Sequence, residues 1–349
     1  MKLKRFILLL ALMPLLLSGC GGKEPVNELP PPVNGGDDPE PNGGGEDVGG
    51  GSGKEVTPLG KNWTAKSIDD GVVYYSFAGV DDVSERYQEI FAVDVDLNKS
   101  EYQVKLVYES PRVATSAAFK KHNALAAINA NYEGTSIYMR INGTDVYKLQ
   151  NEIINGTQVP NWKSEAAFAV TGSGAPKIFF VGSQKKGEMT VPQQRQYYQN
   201  LSVTEYPNFI TSAPMLIDNF SKVGENFCNY KLTSAEVNKL ASEDPDRHQR
   251  VLHPRTAVAL TEKNHLILFV VDGRQQSAGM TARQLTRFLA KWFNPQYALN
   301  LDGGGSTTMC VKGEGDPDTH VVNYPCDNSK YDHAGERTRD AFVVVCKKQ

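Results

Sequence analysis

The stretch LILFVVDGRQQSAGMTARQLTRFLAKWFNPQYALNLDGGG, residues 266–305, carries the strongest fold signal in the chain. Its first residues are nearly all apolar, which is typical of a strand that is buried on both faces. Thr281 and Gln284 have the spacing of a capping box, and apolar residues then recur every three or four positions, which predicts a helix. A second apolar run ends at Asp302. The segment therefore predicts a strand, a helix and a second strand.

A strand–helix–strand segment of this kind predicts a βαβ unit, in which the two strands are parallel and lie near each other. Asp272 and Asp302 end the two strands, so both carboxylates should emerge at one edge of the sheet, where ligands bind. Gly303, Gly304 and Gly305 follow Asp302. Such glycines favour positive φ angles or a close approach of the backbone to a ligand, although a plain tight turn is the alternative.

Strand-like runs dominate the rest of the sequence, and helical patterns are few. The other predicted strands are 72–77, 90–97, 102–108, 125–132, 166–172, 177–182, 256–261 and 341–346, and the predicted helices are 114–123, 233–241 and 281–293. This balance predicts an α+β fold with a mixed, mostly antiparallel β-sheet core, a few helices and one βαβ unit.

The N-terminus predicts export and lipidation. A basic head, an apolar stretch and the sequence LSGC resemble a bacterial lipobox, which implies that residues 1–19 are a signal peptide and that Cys20 carries lipid. Residues 20–60 are rich in Gly, Pro and acidic residues, as in a disordered tether. Residues 61–349 should form a single domain, held at a bacterial outer membrane or cell surface through the lipid anchor alone.

Charge and cysteine content narrow the partners and the chemistry. The net charge is -3 and the basic residues do not cluster, so nucleic acid is not expected as a partner. Besides Cys20 the chain has Cys228, Cys310, Cys326 and Cys346. In an oxidising compartment these allow up to two disulfides, with free buried thiols as an equal alternative.

Polar residues gather at the predicted strand ends. The motifs INANYEG, HPRTAVAL, VVDGRQQ, LDGGGST and GERTRDAFVVV supply them. The candidate catalytic carboxylates are Asp302, Asp272 and Glu133, and the candidate substrate- or phosphate-binding residues are Arg255, Arg274, Arg337, Gly303, Gly304, Gly305, Ser306, Thr307, Asn129 and Asn131. The structural alternative for each of them is a turn, a cap or an ion pair.

These residue types suit an anionic sugar substrate. Carboxylates act in glycoside cleavage, arginine binds phosphate with a fork of donors, and successive backbone N–H groups of a glycine turn can form an anion nest. The DGGGST motif lacks the lysine of a Walker loop and the spacing of the dinucleotide fingerprint, which argues against nucleotide hydrolysis and hydride transfer.

Four segments together resemble the phosphodiester glycosidase domain family, namely LNLDGGGSTTM, VVDGRQQSAGMTARQLTRFLA, HPRTAVAL and GERTRDAFVVV. SAPMLIDN at 212–219 and AINANYEG resemble two earlier blocks of the family, and the resemblance runs from about residue 124 to 345. It implies hydrolysis of the glycosidic bond in N-acetylglucosamine-phospho-sugar diesters, with a phosphodiester-linked glycan as the partner. The alternative is a non-catalytic, glycan-binding surface lipoprotein. The sequence indicates no required cofactor, although clustered Asp and Asn oxygens could hold calcium.

Overall fold

The computed structural model describes residues 56–154, 157–159, 161–183 and 185–348. The predicted signal peptide, Cys20 and most of the predicted tether lie outside these residues. The strands are β1 Trp63–Asp69, β2 Val72–Asp81, β3 Arg86–Asp96, β4 Tyr102–Val113, β5 Ala126–Asn129, β6 Met139–Ile141, β7 Thr144–Tyr147, β8 Glu152–Ile154, β9 Thr157–Val159, β10 Ala166–Val170, β11 Pro176–Phe180, β12 Asn208–Ser212, β13 Met215–Asp218, β14 Arg255–Leu260, β15 His265–Val271, β16 Tyr297–Asn300, β17 Met309–Val311 and β18 Arg339–Lys347.

The helices are α1 Thr115–Lys121, α2 Val191–Asn200, α3 Ser234–Val237, α4 Pro245–His248 and α5 Ala282–Trp292, and 3-10 turns occupy Gly134–Ser136, Val223–Asn226 and Gly304–Ser306. Within the described ranges, none of these helices has the length and hydrophobicity needed to cross a bilayer.

Three sheets surround one core. They have the strand orders β1-β2-β3-β15-β14-β16-β13, β11-β10-β12-β6-β7 and β17-β5-β18-β4, and a separate hairpin joins β8 to β9. One face of each sheet contributes to the largest apolar cluster, with Leu268, Phe168 and Val343 as examples from the three sheets. Strand residues alternate between faces, so the same alternation that fills this core leaves a second apolar face on each sheet.

A helix covers each of these second faces. Helix α5 packs Leu285 and Phe288 on the seven-stranded sheet. Helix α1 packs Phe119 on the four-stranded sheet, and α2 packs Val191 and Tyr198 on the five-stranded sheet. The architecture therefore has an inner layer shared by the sheets and an outer layer of helices, as an α+β fold requires.

The predicted α+β fold is confirmed, including its βαβ unit. Strands β15 and β16 each pair antiparallel with β14, which lies between them, so they run parallel to each other, with α5 as the connection. Every neighbouring pair recorded for the described strands is itself antiparallel. The parallel relation thus spans a strand, and the carboxyl ends of β15 and β16 open at one edge.

Local signals in the sequence explain where α5 and α3 begin. The Thr281 hydroxyl accepts from the backbone N–H of Gln284, and the Gln284 side chain bonds the Thr281 backbone N–H, which completes the capping box. Thr233 and Glu236 form the same box, but the helix there ends at Val237, well before the predicted residue 241. The four cysteines that the structure describes, Cys228, Cys310, Cys326 and Cys346, are free thiols.

Candidate active site

Asp302 stands where two sheets meet. Its strand, β16, belongs to the seven-stranded sheet, and its backbone N–H donates to the Ala130 carbonyl oxygen, 3.2 Å away, just beyond β5 of the four-stranded sheet. The Asn129 amide Nδ2 donates to the Asp302 carbonyl oxygen at 2.7 Å. These two bonds fix the backbone of Asp302 at the edge of the sheet predicted from the sequence.

Arg339, the first residue of β18, holds this carboxylate. Its Nη2 lies 2.9 Å from Asp302 Oδ2, its Nε donates to Ser306 Oγ at 2.8 Å, and its Nη1 donates to Glu133 Oε1 at 2.8 Å. Burial raises the pKa of Asp302, while the Arg339 charge and the Ser306 hydroxyl work in the opposite direction. Asp302 is thus a buried carboxyl that is destabilised as an anion and steadied by one guanidinium.

Glu133, the third predicted carboxylate, lies on the other side of Arg339. Its side chain is 65% exposed and is also 3.4 Å from Arg112 Nη1. Partial burial pushes its pKa upward, but the bond to Arg339 and the charges of Arg339 and Arg112 outweigh it, and its pKa is lowered. Glu133 is therefore an ionised partner of two arginines near neutral pH, and a poor proton donor.

The glycine turn uses most of its own backbone donors. The N–H groups of Gly304, Ser306 and Thr307 donate to the carbonyl oxygens of Pro254, Gly303 and Gly304, at 2.8, 3.2 and 3.2 Å. Gly304 has a φ of 60°, a conformation that disfavours other residues. These three N–H groups, which a phosphate nest would need, are already bonded to carbonyl oxygens of the protein, one at Pro254 and two within the turn.

The glycines instead allow side chains to approach. A Cβ on Gly305 would overlap the Asp327 carboxylate and stand 2.7 Å from Arg337 Nη2. Arg337 and Asp327 form an ion pair there, which raises the pKa of Arg337. A Cβ on Gly304 would lie 3.3 Å from Arg274 Nη2. Two predicted phosphate-binding arginines, Arg274 and Arg337, therefore lie directly against the turn that follows Asp302.

A row of rings and a lysine stands beside the carboxylate. The rings of Tyr132 and Trp162 lie 5.5 Å apart, and those of Trp162 and His248 lie 5.2 Å apart. Lys163 Nζ is 5.5 Å from the centres of both the Tyr132 and the Trp162 rings and 2.7 Å from Glu243 Oε2. Tyr132 and Trp162 belong to the shared core, and the Lys163 charge beside them is paired with the Glu243 carboxylate.

Lys163 and Tyr132 are electrostatically coupled to the site. The charge of Lys163 lowers the pKa of Asp302, against the larger effect of burial. Burial, followed by the charge of Asp302, raises the pKa of Tyr132, whose hydroxyl donates to the Ala213 carbonyl oxygen at 3.3 Å. Lys163 and Tyr132 are therefore near enough to Asp302 for their charges to influence one another.

Asp272 reaches the predicted edge of the sheet but serves a different contact. Its Oδ1 accepts from Asn323 Nδ2 and its Oδ2 accepts from the Tyr324 backbone N–H, both at 2.8 Å. Burial raises its pKa to about 7, and the neighbouring Glu89 charge adds to the effect. Both oxygens therefore fasten the chain that leads from β17 to Asp327 and Arg337.

Arg255 is a buried brace. Its guanidinium donates to the carbonyl oxygens of Met280, His248 and Val251, at 2.8, 3.2 and 3.0 Å, and to Gln249 Oε1 at 2.8 Å. Arg255 shares one face of β14 with Ala257 and Ala259, because the three residues are two positions apart. Ala257 and Ala259 pack against α5, so Arg255 lies on the side of the sheet that this helix covers. We therefore leave it out of the phosphate contacts proposed below.

The two predicted asparagines and Thr307 support the backbone around the site. Asn129 Oδ1 accepts from the Thr308 N–H at 3.1 Å. Asn131 Nδ2 donates to Asp340 Oδ1, and its Oδ1 accepts from the Ala341 N–H at 2.9 Å. The Thr307 hydroxyl lies 3.4 Å from that of Thr256. Ser306 differs from these residues, because its hydroxyl contacts Arg339.

Arg339 and Lys163 were not among the candidate site residues, although each leaves a signal in the sequence. Arg339 lies two, four and six positions before Ala341, Val343 and Val345, so strand alternation puts it on the same face as they are. These three residues face the shared core, so the pattern places an arginine inside the protein. Lys163 follows Trp162 before a buried strand, and nothing in that pattern separates it from a surface lysine.

No group of three or more His, Cys, Asp or Glu side chains converges on a common point suited to a metal ion within the described ranges. The charged groups that do meet here are carboxylates and guanidiniums. The chemistry that this geometry can supply is therefore a negative charge at Asp302, at the start of a glycine turn, and the guanidiniums of Arg274 and of Arg337, the latter paired with Asp327, packed against that turn.

Comparison with known proteins agrees with this inventory. A family model described as phosphodiester glycosidase matches residues 122–345, which is more than half of the chain and includes every candidate site residue except Cys20. The chain is 33% identical over 96 residues to human N-acetylglucosamine-1-phosphodiester alpha-N-acetylglucosaminidase, and 34% identical over 101 residues to the bovine protein. These alignments cover 28% and 29% of this chain.

The same alignments cover 17% and 18% of the human and bovine proteins, less than a fifth of their length. In three dimensions the chain is similar to the catalytic domain of zebrafish N-acetylglucosamine-1-phosphodiester alpha-N-acetylglucosaminidase. The TM-score is 0.52 at 20% identity, over 82% of this chain and 88% of the zebrafish chain. At that identity the likeness establishes the fold alone.

Asp272 gives a prediction for stability against pH. Its folded pKa of about 7 exceeds the reference value of 3.8, so the folded state keeps a proton that the unfolded state has released. This contribution to stability is full below about pH 4 and is lost as pH rises through about 7. Urea unfolding gives the free energy of unfolding of wild type and of Asp272→Asn, and the amount by which wild type is the more stable should decrease between about pH 5 and about pH 8.

The exposed Asp318→Asn serves as the control, and its difference from wild type should stay nearly constant over this range. An advantage of wild type over Asp272→Asn that grows with pH would contradict the assignment, because it would require the pKa of Asp272 to be lowered by folding.

Proposed function

The chain belongs to the phosphodiester glycosidase family, and on that premise we propose that it hydrolyses the glycosidic bond of sugar phosphodiesters of the N-acetylglucosamine-phospho-sugar type. The observation that carries the proposal is the glycine turn, with the Asp302 carboxylate at its start and the guanidiniums of Arg274 and Arg337 against it. The names of the human and bovine relatives support the choice of sugar.

The charges match the demands of this reaction. Breaking the bond between the anomeric carbon and the phosphate oxygen develops positive charge on the sugar ring and negative charge on the leaving phosphate. Asp302 would face the anomeric carbon, and Arg274 and Arg337 would face the phosphate. Fixed charges placed where transition-state charge develops are a large source of catalysis, because they need no reorganisation.

The environment of Glu133 fits the same scheme. A phosphomonoester is a better leaving group than a sugar hydroxyl, so the reaction depends less on a strong general acid than ordinary glycoside hydrolysis does. Glu133 is ionised and shared between Arg339 and Arg112. In this proposal it orients Arg339, which in turn holds the Asp302 carboxylate towards the sugar.

We assign the sugar to the Asp302 end of the glycine turn and the phosphate to the side of Arg274. The rings of Tyr132 and Trp162 are packed in the core, with 4% and 1% of their surfaces exposed, so they support the backbone near Asp302 and do not themselves present a sugar-binding surface.

The experiment is a release assay on a panel of α- and β-linked N-acetylglucosamine phosphodiesters with wild type and Asp302→Asn. Wild type should release free N-acetylglucosamine from at least one member. Asp302→Asn should lower turnover by about two orders of magnitude or more. Arg339 keeps its bonds to Ser306 and Glu133 in this variant, so the protein should still fold, and turnover is compared per folded molecule because the buried guanidinium loses one counter-charge.

Arg112→Gln, which alters the exposed partner of Glu133, is a milder comparison and should retain most of the turnover. If no member of the panel is cleaved by wild type, the glycan-binding alternative replaces the enzyme. If Asp302→Asn remains active per folded molecule, the catalytic assignment of Asp302 is wrong.

We also propose that the domain is held at a bacterial outer membrane or cell surface through lipid on Cys20, since LSGC follows a basic head and an apolar run. The full-length protein should sediment with membranes and be released by detergent. The Cys20→Ser variant should lose the lipid mass and leave the membrane fraction. Membrane association that is insensitive to Cys20→Ser would refute the anchor.

A further inference from the structure

His253 occupies a rigid position next to the proposed phosphate side. Its backbone pairs with Met280 in both directions, with the His253 N–H to Met280 O at 3.4 Å and the Met280 N–H to His253 O at 3.0 Å. Gly279 packs so closely that a Cβ there would lie 2.6 Å from the His253 carbonyl oxygen. The His253 side chain therefore projects from a backbone that has little freedom to move.

The His253 imidazole accepts two hydrogen bonds from Arg274. Arg274 Nε and Nη2 both donate to His253 Nδ1, at 3.2 and 3.0 Å. Arg274 has a φ of 67°, an uncommon backbone conformation for a residue with a side chain, and its Nη2 is the atom closest to the Cβ position of Gly304. A strained backbone, a fixed histidine and a bare glycine thus converge on one guanidinium orientation.

We propose that His253 is a positioning residue, which fixes the guanidinium of Arg274 against the glycine turn so that it meets the phosphate of the substrate. This inference rests on the proposed function. His253 does not touch the reacting atoms in this account, and it acts only through Arg274.

The role requires a neutral imidazole with its proton on Nε2, since Nδ1 must offer a lone pair to the guanidinium. The groups around the ring favour that state. Burial and the positive charges of Arg255 and Arg274, with a contribution from His248, lower the pKa of His253 to about 2. A protonated ring would place a third positive charge beside the two arginines and lose the bond to Arg274.

The test separates an acceptor at Nδ1 from mere bulk. In His253→Asn the side-chain oxygen can sit near the position of Nδ1, whereas in His253→Gln the amide reaches the position of Nε2, and His253→Ala removes both. His265→Ala is the matched control, a histidine at the opposite end of β15 that bonds Asp94. The kinetic constants kcat and KM are measured with a phosphodiester that wild type hydrolyses, and the melting temperature of each variant is measured as well.

We expect His253→Ala and His253→Gln to lose about ten- to a hundredfold in kcat/KM, the usual worth of a hydrogen bond to a charged group, while His253→Asn stays within about threefold of wild type. Arg274→Ala should lose at least as much, and His253→Ala should add little to it in the double variant. The inference would be overturned if the losses in kcat/KM of the two single variants multiplied in the double variant, or if His253→Ala had the kinetics of wild type.

Two readouts do not need turnover. Nitrogen-15 NMR of the histidine rings should place the proton of His253 on Nε2, and a proton on Nδ1 would overturn the inference. Calorimetric titration with inorganic phosphate should give weaker binding to His253→Gln than to wild type and His265→Ala. If wild type cleaves no phosphodiester yet this difference is present, the proposed function fails while the positioning role stands. Equal phosphate affinities would refute the positioning role.

Discussion

The site depends on the contacts that the Arg339 guanidinium makes. Arg339 is the first residue of β18 in the four-stranded sheet, and its side chain contacts Asp302 and Ser306, just beyond the end of β16 in the seven-stranded sheet. Its remaining arm meets Glu133. One buried cation therefore joins two sheets and two carboxylates. Removing it would leave the buried Asp302 anion without its closest counter-charge, a costly state in a desolvated site.

Two of the three glycines leave space for arginine side chains to pack against the turn. Sequence reasoning assigned the three glycines to a backbone nest for phosphate, yet three of the N–H groups in the turn bond carbonyl oxygens within the protein. The missing side chains leave room for Arg274 at Gly304 and for Arg337 with Asp327 at Gly305. Positive charge thus reaches the phosphate side through guanidiniums, which fit phosphate oxygens better than single amides do.

The sequence predicted ten of the eighteen described strands, the βαβ unit and the edge at which Asp302 emerges, because apolar periodicity and capping boxes are local signals. It could not predict which face of β14 carries Arg255, or that both oxygens of Asp272 bind Asn323 and Tyr324, since those contacts join distant segments. Short strands such as Met139–Ile141 escaped for a similar reason, as three residues show no periodicity. The inward position of Arg339 could have been predicted, because it shares a strand face with the core residues Ala341 and Val343.

The central claim is that the bond broken lies between the anomeric carbon and the phosphate oxygen. Hydrolysis of an N-acetylglucosamine phosphodiester in water enriched in oxygen-18, followed by mass spectrometry of both products, tests it most directly. The account predicts that the heavy oxygen appears on the anomeric carbon of the released sugar and that the phosphomonoester stays unlabelled. Heavy oxygen in the phosphate would mean attack at phosphorus and would contradict the role given to Asp302.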